Sequence, residues 1–255
     1  MLYYDLSDEV EAFSTNKEDA TDFPVRLPPH QAHSALVRRV PQEQDDITGV
    51  DALITSERGL RIGVKTADCV PILLFDERQK AVAAIHSGWK GTVQNIIAAT
   101  IGRMREEFAT DPADLRAVIG PCIHLEAFEV GDEVYEKFRQ MTPLKAQPSS
   151  PLWKKMPPMN RLSAEPSDAK SPLRGDLGGS SLGDLGGSVP EHSGWSWHIN
   201  LPAFCQAQLM ACGVLEGRIE VREECTWQQH DRFFSARRLG RQFDRQRIYN
   251  CIMLR

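Results

Sequence analysis

Residues 66–91 read TADCVPILLFDERQKAVAAIHSGWKG, in which two short apolar, β-rich runs, 70–75 and 81–85, flank the polar turn DERQK. That pattern predicts two buried, adjacent antiparallel strands. Pairing across the turn brings Cys69, before the first strand, beside His86, after the second. Upstream, residues 1–29 pattern as an edge strand, a loop and a turn ending in LPP, and HQAHSALVRRV (30–40) as a strand carrying Ala35, Val37 and Val40, with His33 at its start. Two apolar runs around SERG predict a β-hairpin over 51–64.

After Gly91 the period changes. Val93, Ile96, Ile97, Thr100, Ile101 and Met104 recur at helical spacing, predicting one helix over about 92–108. Its N-terminus falls behind His86 and Gly88, where free backbone N–H groups suit an anion, although Gly88 and Gly91 serve equally well as a simple strand-to-helix turn. A strand follows within 110–120, then a helix in GDEVYEKFRQM with Val134 and Phe138 on one face and Asp132 and Glu133 in its first turn. Residues 142–194 are rich in Pro, Ser and Gly and repeat GDLGGS at 175–180 and 183–188, the composition of a disordered insertion. An RGD at 174–176 is too short a match to carry an adhesion role. Order returns at Trp195 with a strand and a helix from about Pro202, with Phe204, Cys205, Leu209 and Met210 inward, ending at Gly213. GRIEVREE and RIYNCIML predict the last strands.

Composition narrows the class. With 255 residues, 41% hydrophobic and 25% charged, the chain is an ordinary globular protein long enough for a sizeable core. The net charge of −5 argues against nucleic acid as the main partner. No stretch approaches the roughly 18 apolar residues of a membrane span, and no basic leader opens the chain, so a cytoplasmic protein with no membrane partner is expected. Six scattered cysteines then predict buried thiols or ligands rather than disulfides.

His33, Cys69 and His86 lie 36 and 17 positions apart, unlike the close ligand pairs of a zinc finger. Three readings stay open. Scattered strand-end ligands suit a catalytic metal with an open position. Alternatively, Cys69 and His86 form a nucleophile and base, with Asp68 and the N–H groups around Gly88 supplying orientation and an oxyanion hole. Each is also an ordinary packed residue in many folds. Arg237 and Arg238, after two phenylalanines, suit an anion held against a dry wall.

Several blocks resemble one family: QAHS (31–34), DALITSERGLRIGVKTADCVPILLFD (51–76), AAIHSGWKGT (83–92), IGPCI with FEVGDEV (119–134), INLPAFCQAQLMACGV (199–214) and CTWQQHDRFFSARR (225–238). In this order they resemble the YfiH family, also called laccase-like polyphenol oxidase, purine nucleoside phosphorylase and peptidoglycan editing factor. The resemblance implies a single α/β domain over 1–255, interrupted by the insertion, with a mixed β-sheet core flanked by helices and similar to the cytotoxic necrotizing factor catalytic domain. It implies zinc, with copper as the alternative, on His33, Cys69 and His86, which would then be the catalytic residues; Asp68, beside Cys69 in the sequence, is the candidate for support behind them. It further implies phosphorolysis of purine nucleosides (adenosine, inosine, guanosine, 5′-methylthioadenosine) and adenosine deamination, for which Lys90, Arg237 and Arg238 are the substrate- or phosphate-binding candidates. A cysteine amidase editing peptidoglycan precursors through Cys69 and His86 is the alternative, and copper-dependent phenol oxidation ranks last, since seven histidines are few for several copper sites. The chain departs from the family pattern in Ser34, usually glycine, in HSGWKG, commonly HAGWRG, and in FFSARRLG, where a tyrosine and an acidic residue often flank the arginines.

Overall fold

The computed structural model describes residues 1–40, 46–141, 150–157, 195–240 and 246–255. The chain runs through β1 (Leu2–Tyr3), β2 (Val10–Ser14), β3 (Val37–Arg39), β4 (Ala52–Thr55), β5 (Ile62–Thr66), β6 (Val70–Asp76) and β7 (Ala81–Ser87) before its first helices, α1 (Trp89–Val93) and α2 (Ile96–Phe108). It continues with β8 (Leu115–Ile119), β9 (Glu129–Val130), α3 (Asp132–Arg139), β10 (Trp153–Met156), β11 (Ser196–Ile199), α4 (Leu201–Ala211), β12 (Ile219–Val221), α5 (Ala236–Leu239) and β13 (Ile248–Leu254).

The predicted mixed sheet is six-stranded, in the order β12-β8-β6-β7-β4-β3, with β12–β8 and β4–β3 parallel and the rest antiparallel. At its centre β6 and β7 form the expected hairpin, pairing Pro71 with His86 and Val70 with Ser87. All seven residues of each strand are buried, because both faces of the sheet are covered. Alternation sorts them: Val70, Ile72 and Leu74 pack with Ile96, Ile101, Met104 and Phe204 of the helices. Leu73 and Phe75 turn the other way, against Val10, Ile62, Val64, Ile252 and Leu254. Those residues belong to a second sheet, β1-β2-β13-β5, so the molecule has three layers: antiparallel sheet, mixed sheet, helices. A small sheet β10-β11-β9 completes the helical side.

The structure corrects several expectations. β4 and β5 are not a hairpin; β4 pairs with β3 and β7, whereas β5 pairs with β13. The SERG turn carries the chain between layers and is tied to the C-terminal strand, Gly59 donating its N–H to the Leu254 carbonyl at 2.8 Å with a left-handed φ of +78°. The single helix expected over 92–108 is broken at Asn95 (φ 59°), where Gln208 of α4 donates to the Thr92 carbonyl and to Asn95 Oδ1, both at 2.8 Å. His33 does not open a strand but sits in the preceding loop with a left-handed φ of 57°. Within the stretch expected to be a disordered insertion, Trp153–Met156 is a strand paired with β11; the GDLGGS repeats and the RGD lie outside the described residues. Among the described residues no helix is long and apolar enough to cross a membrane.

Candidate metal centre

The β6–β7 register delivers Cys69 and His86 to one end of the mixed sheet, and the loop before β3 adds His33. One ligand atom from each lies within 4.8 Å of the others. Cys69 Sγ is 3.9 Å from His33 Nε2, and the two imidazoles meet edge to face with centroids 4.8 Å apart.

Asp51, just before β4, assembles this cluster, and nothing in the sequence singled it out. Fully buried, it accepts from His86 Nδ1 at 2.7 Å and from the His33 backbone N–H at 3.0 Å on Oδ1. Oδ2 accepts from the Ser34 N–H and the Ser34 hydroxyl, both at 2.7 Å. The Asp51 carbonyl also takes the His86 N–H at 2.7 Å. One carboxylate thus fixes the His86 ring with Nε2 turned to the cluster and holds the strained His33 backbone, a kind of strain that costs on the order of 1–3 kcal/mol and clusters at functional sites.

Asp68 takes a different place from the orienting one expected of it. It has a φ of 88° and is buried, its carboxylate accepting from Thr226 Oγ1 at 2.7 Å and the Arg237 N–H at 2.6 Å. Burial pushes its carboxyl up while those bonds draw it down, and the net shift is upward. Asp68 therefore ties the Cys69 corner to the C-terminal segment. Gly88 leaves no room for a side chain: a Cβ there would meet His33 Cδ2 at 2.8 Å and Cys69 Sγ at 3.0 Å.

Burial opposes charge at Cys69, but the His86 imidazolium and the hydrogen bond to His33 outweigh it and pull the thiol down to about 6. Burial opposes charge at His86 as well, and the Cys69 thiolate with the Asp51 carboxylate overturns it, raising the ring to about 9. Both shifts describe one transfer, the thiol proton passing to the imidazole.

The donors fit a metal. Zinc bonds of about 2.0–2.3 Å at tetrahedral angles place donor atoms roughly 3.3–3.8 Å apart; the Sγ–Nε2 separation of 3.9 Å needs only a slight contraction, and the widest separation in the cluster, up to 4.8 Å, a larger one. Two imidazoles and a thiolate leave a fourth position open, and a carboxylate behind one histidine is the usual second support.

The cluster lines a cavity of about 960 Å³, ample for a small molecule. Trp89, Phe128 and Phe234 supply aromatic wall, and Lys90 and Arg237 line it as cations. Arg238 does not line it; its guanidinium lies 5.1 Å from the Trp227 ring centroid, on a different wall of α5. Lys65 and Arg247 also line the cavity, and neither belongs to a pattern that marks a site in sequence.

Fold and site together define a layered α/β protein whose His–Cys–His cluster opens into a cavity. The chain belongs to the YfiH family: the family model described as multi-copper polyphenol oxidoreductase laccase matches residues 3–161 and 185–255. A purine nucleoside phosphorylase of Bacteroides thetaiotaomicron is 40% identical over 199 residues, 78% of this chain and 59% of that protein, so the chain spans under two thirds of that relative. The adenosine deaminase RL5 of an unknown prokaryote is 33% identical over 221 residues, covering 83% and 69%. Among solved structures, YlmD from Geobacillus stearothermophilus matches with a TM-score of 0.72 at 22% identity, covering 100% of this chain and 97% of that one. A Bacillus licheniformis hypothetical protein, YfiH, gives 0.70 at 22% identity, covering 96% and 93%. These likenesses show the fold, and the relatives' names support an enzyme.

Proposed function

We propose that the chain is a zinc-dependent purine nucleoside phosphorylase, acting on adenosine, inosine, guanosine and 5′-methylthioadenosine, that also deaminates adenosine. The observation that carries this reading is the His33–Cys69–His86 cluster opening into a cavity with ample room for a nucleoside; relatives named for both activities support it. Zinc on these three ligands would supply Lewis acidity and bring the pKa of a water towards neutrality. The chain's own groups do the rest. Asp51 keeps the His86 proton on Nδ1, leaving Nε2 as donor. Trp89 and Phe128 give the cavity an apolar wall, and Lys90 and Arg237, which lie over those rings, offer positive charge to a purine's polar groups. Metal analysis of purified protein beside an adenosine assay with and without phosphate tests this. One zinc per chain and a phosphate-dependent part of the turnover are expected, and both activities should disappear in His33→Ala; their survival there would refute it.

The depressed Cys69 thiol beside His86 favours a second reading, a cysteine amidase acting on peptidoglycan precursors. In that case a thiol-alkylating reagent abolishes amide cleavage by metal-free protein, and retained cleavage counts against it. Copper-dependent phenol oxidation ranks last, because the described residues contain one His/Cys/Asp/Glu group able to hold a metal.

A further inference from the structure

Strand β13 reads IYNCIML, and alternation sets Ile248, Asn250, Ile252 and Leu254 on one face, all fully buried. Ile252 and Leu254 pack against the mixed sheet, so this face lies between two layers. Three of the four side chains are aliphatic. Asn250 puts an amide among them, where a polar group is costly unless its donors and acceptor are met. β13 runs between β2 and β5, with Asn250 opposite Ser14 on one side and Val64 on the other.

The amide is met by a chain of bonds with one direction. The Tyr4 hydroxyl donates to Ser14 Oγ at 2.6 Å, and Ser14 Oγ donates to Asn250 Oδ1. Asn250 Nδ2 then donates to Thr66 Oγ1 at 3.0 Å and to the carbonyls of Ile248 and Val64 at 3.3 and 3.4 Å. Tyr4, Ser14 and Thr66 are buried as well, and burial pushes the Tyr4 phenol up, so it keeps the proton it donates. The chain ends under the corner that presents Cys69. Thr66 closes β5, three residues before Cys69; next comes Ala67, which lines the cavity, and then Asp68 with its φ of 88°. The Thr226 hydroxyl and the Arg237 N–H hold Asp68 from the outer side, and Asn250 holds Thr66 from the inner side. The same bonds reach the other arm of the site: Gly120 donates to the Pro71 carbonyl at 3.0 Å, Pro71 pairs with His86, and a Cβ on Gly120 would meet Pro71 Cγ at 3.0 Å and the Tyr4 hydroxyl at 3.1 Å.

We propose that Asn250 is a positioning residue for the metal centre, acting through Thr66 to fix the corner on which Cys69 stands. Stability alone does not account for the chain of bonds, because apolar groups of the same shape in place of both partners can be close to neutral. What directed bonds add is one arrangement of the groups they join. An amide is the fitting group here, since an aspartate would turn an oxygen towards the Ile248 and Val64 carbonyls. The consequence for metal binding rests on reading His33, Cys69 and His86 as ligands, and the two can fail separately.

The test uses the full chain with Asn250→Asp, Thr66→Val, Thr66→Ser and, as a control, Ile252→Val, which trims the same face of β13 without touching the bonds. Thr66→Val keeps the side-chain shape and decides the matter even where Asn250→Asp fails to fold. Three quantities are measured: the thermal midpoint of metal-free protein, zinc affinity by chelator competition, and, after cobalt substitution, the thiolate-to-cobalt charge-transfer band that reports the bond to Cys69. Zinc affinity should fall about three- to tenfold in Thr66→Val, with a weakened cobalt band, and return in Thr66→Ser, while Ile252→Val lowers the midpoint and leaves affinity and band unmoved. Affinity within a factor of about two of wild type in Thr66→Val, or an equal loss in Ile252→Val, would overturn the positioning role. If the wild type takes up no zinc, the rate of Cys69 alkylation in metal-free protein, followed by mass spectrometry, reads the corner instead. A rate changed in Thr66→Val and unchanged in Thr66→Ser and Ile252→Val upholds the role although the metal reading fails; a rate unchanged in Thr66→Val overturns it.

Discussion

Replacing Asp51 by asparagine changes little volume but reverses half of the carboxylate's chemistry. All four groups bound to it in the native site are donors: His86 Nδ1, the His33 N–H, the Ser34 N–H and the Ser34 hydroxyl. An asparagine offers one accepting oxygen and one donating NH₂. With the oxygen on the His86 side, the NH₂ faces the Ser34 N–H, and only the hydroxyl can turn to accept. With the NH₂ on the His86 side, the imidazole must accept on Nδ1, which moves its proton to Nε2 and removes that atom as a ligand. Either orientation leaves a part-buried backbone donor, the His33 or the Ser34 N–H, without its acceptor, at up to about 1–3 kcal/mol of stability. Loss of such a support to a metal-bound histidine typically lowers metal affinity about 10–100-fold, or about 1.4–2.7 kcal/mol. Competition against a zinc chelator gives the affinity, and nitrogen-detected NMR of the His86 ring gives its tautomer. Zinc affinity within a factor of about two of wild type, with the proton still on Nδ1, would refute the assembling role of Asp51.

Three further outcomes are expected. Gly88→Ala should fold but bind metal poorly, because its methyl group displaces His33 or Cys69, and chelator competition would show this. In metal-free protein, alkylation of Cys69 should rise with pH through about 6, since the thiol is held below the usual range, and His86→Ala should move that midpoint upward; an unmoved profile would contradict the thiolate–imidazolium pair. Ser34→Gly removes one of the four donors on Asp51 while restoring the residue common in the family, so zinc affinity should fall only severalfold and the thermal midpoint by a few degrees.

The β6–β7 hairpin and the meeting of Cys69 with His86 were legible because a local turn sets the register, and strand register fixes which residues share an end. The partner of β5 was not legible: SERG looks the same whether it closes a hairpin or crosses between layers, and the strand that claims β5 lies far downstream. Asp51 escaped for the same reason. At the head of DALIT it resembles any polar strand-start residue, and its value comes from partners 18 and 35 positions away. Arg238 shows the limit in reverse: adjacent arginines in a short helix point to different surroundings, one along the cavity and one over Trp227.

The two strands that present Cys69 and His86 have no residue exposed to water. One of their two faces is covered by a sheet in which one of the two interior strands, β13, is synthesised long after them. During translation, two adhesive apolar strands are therefore made early and must wait for a late one, so the nascent chain depends on chaperones or on speed to avoid self-association. Substitutions that weaken β13 should then reduce the yield of folded protein during synthesis more than they reduce the activity of the molecules that succeed in folding.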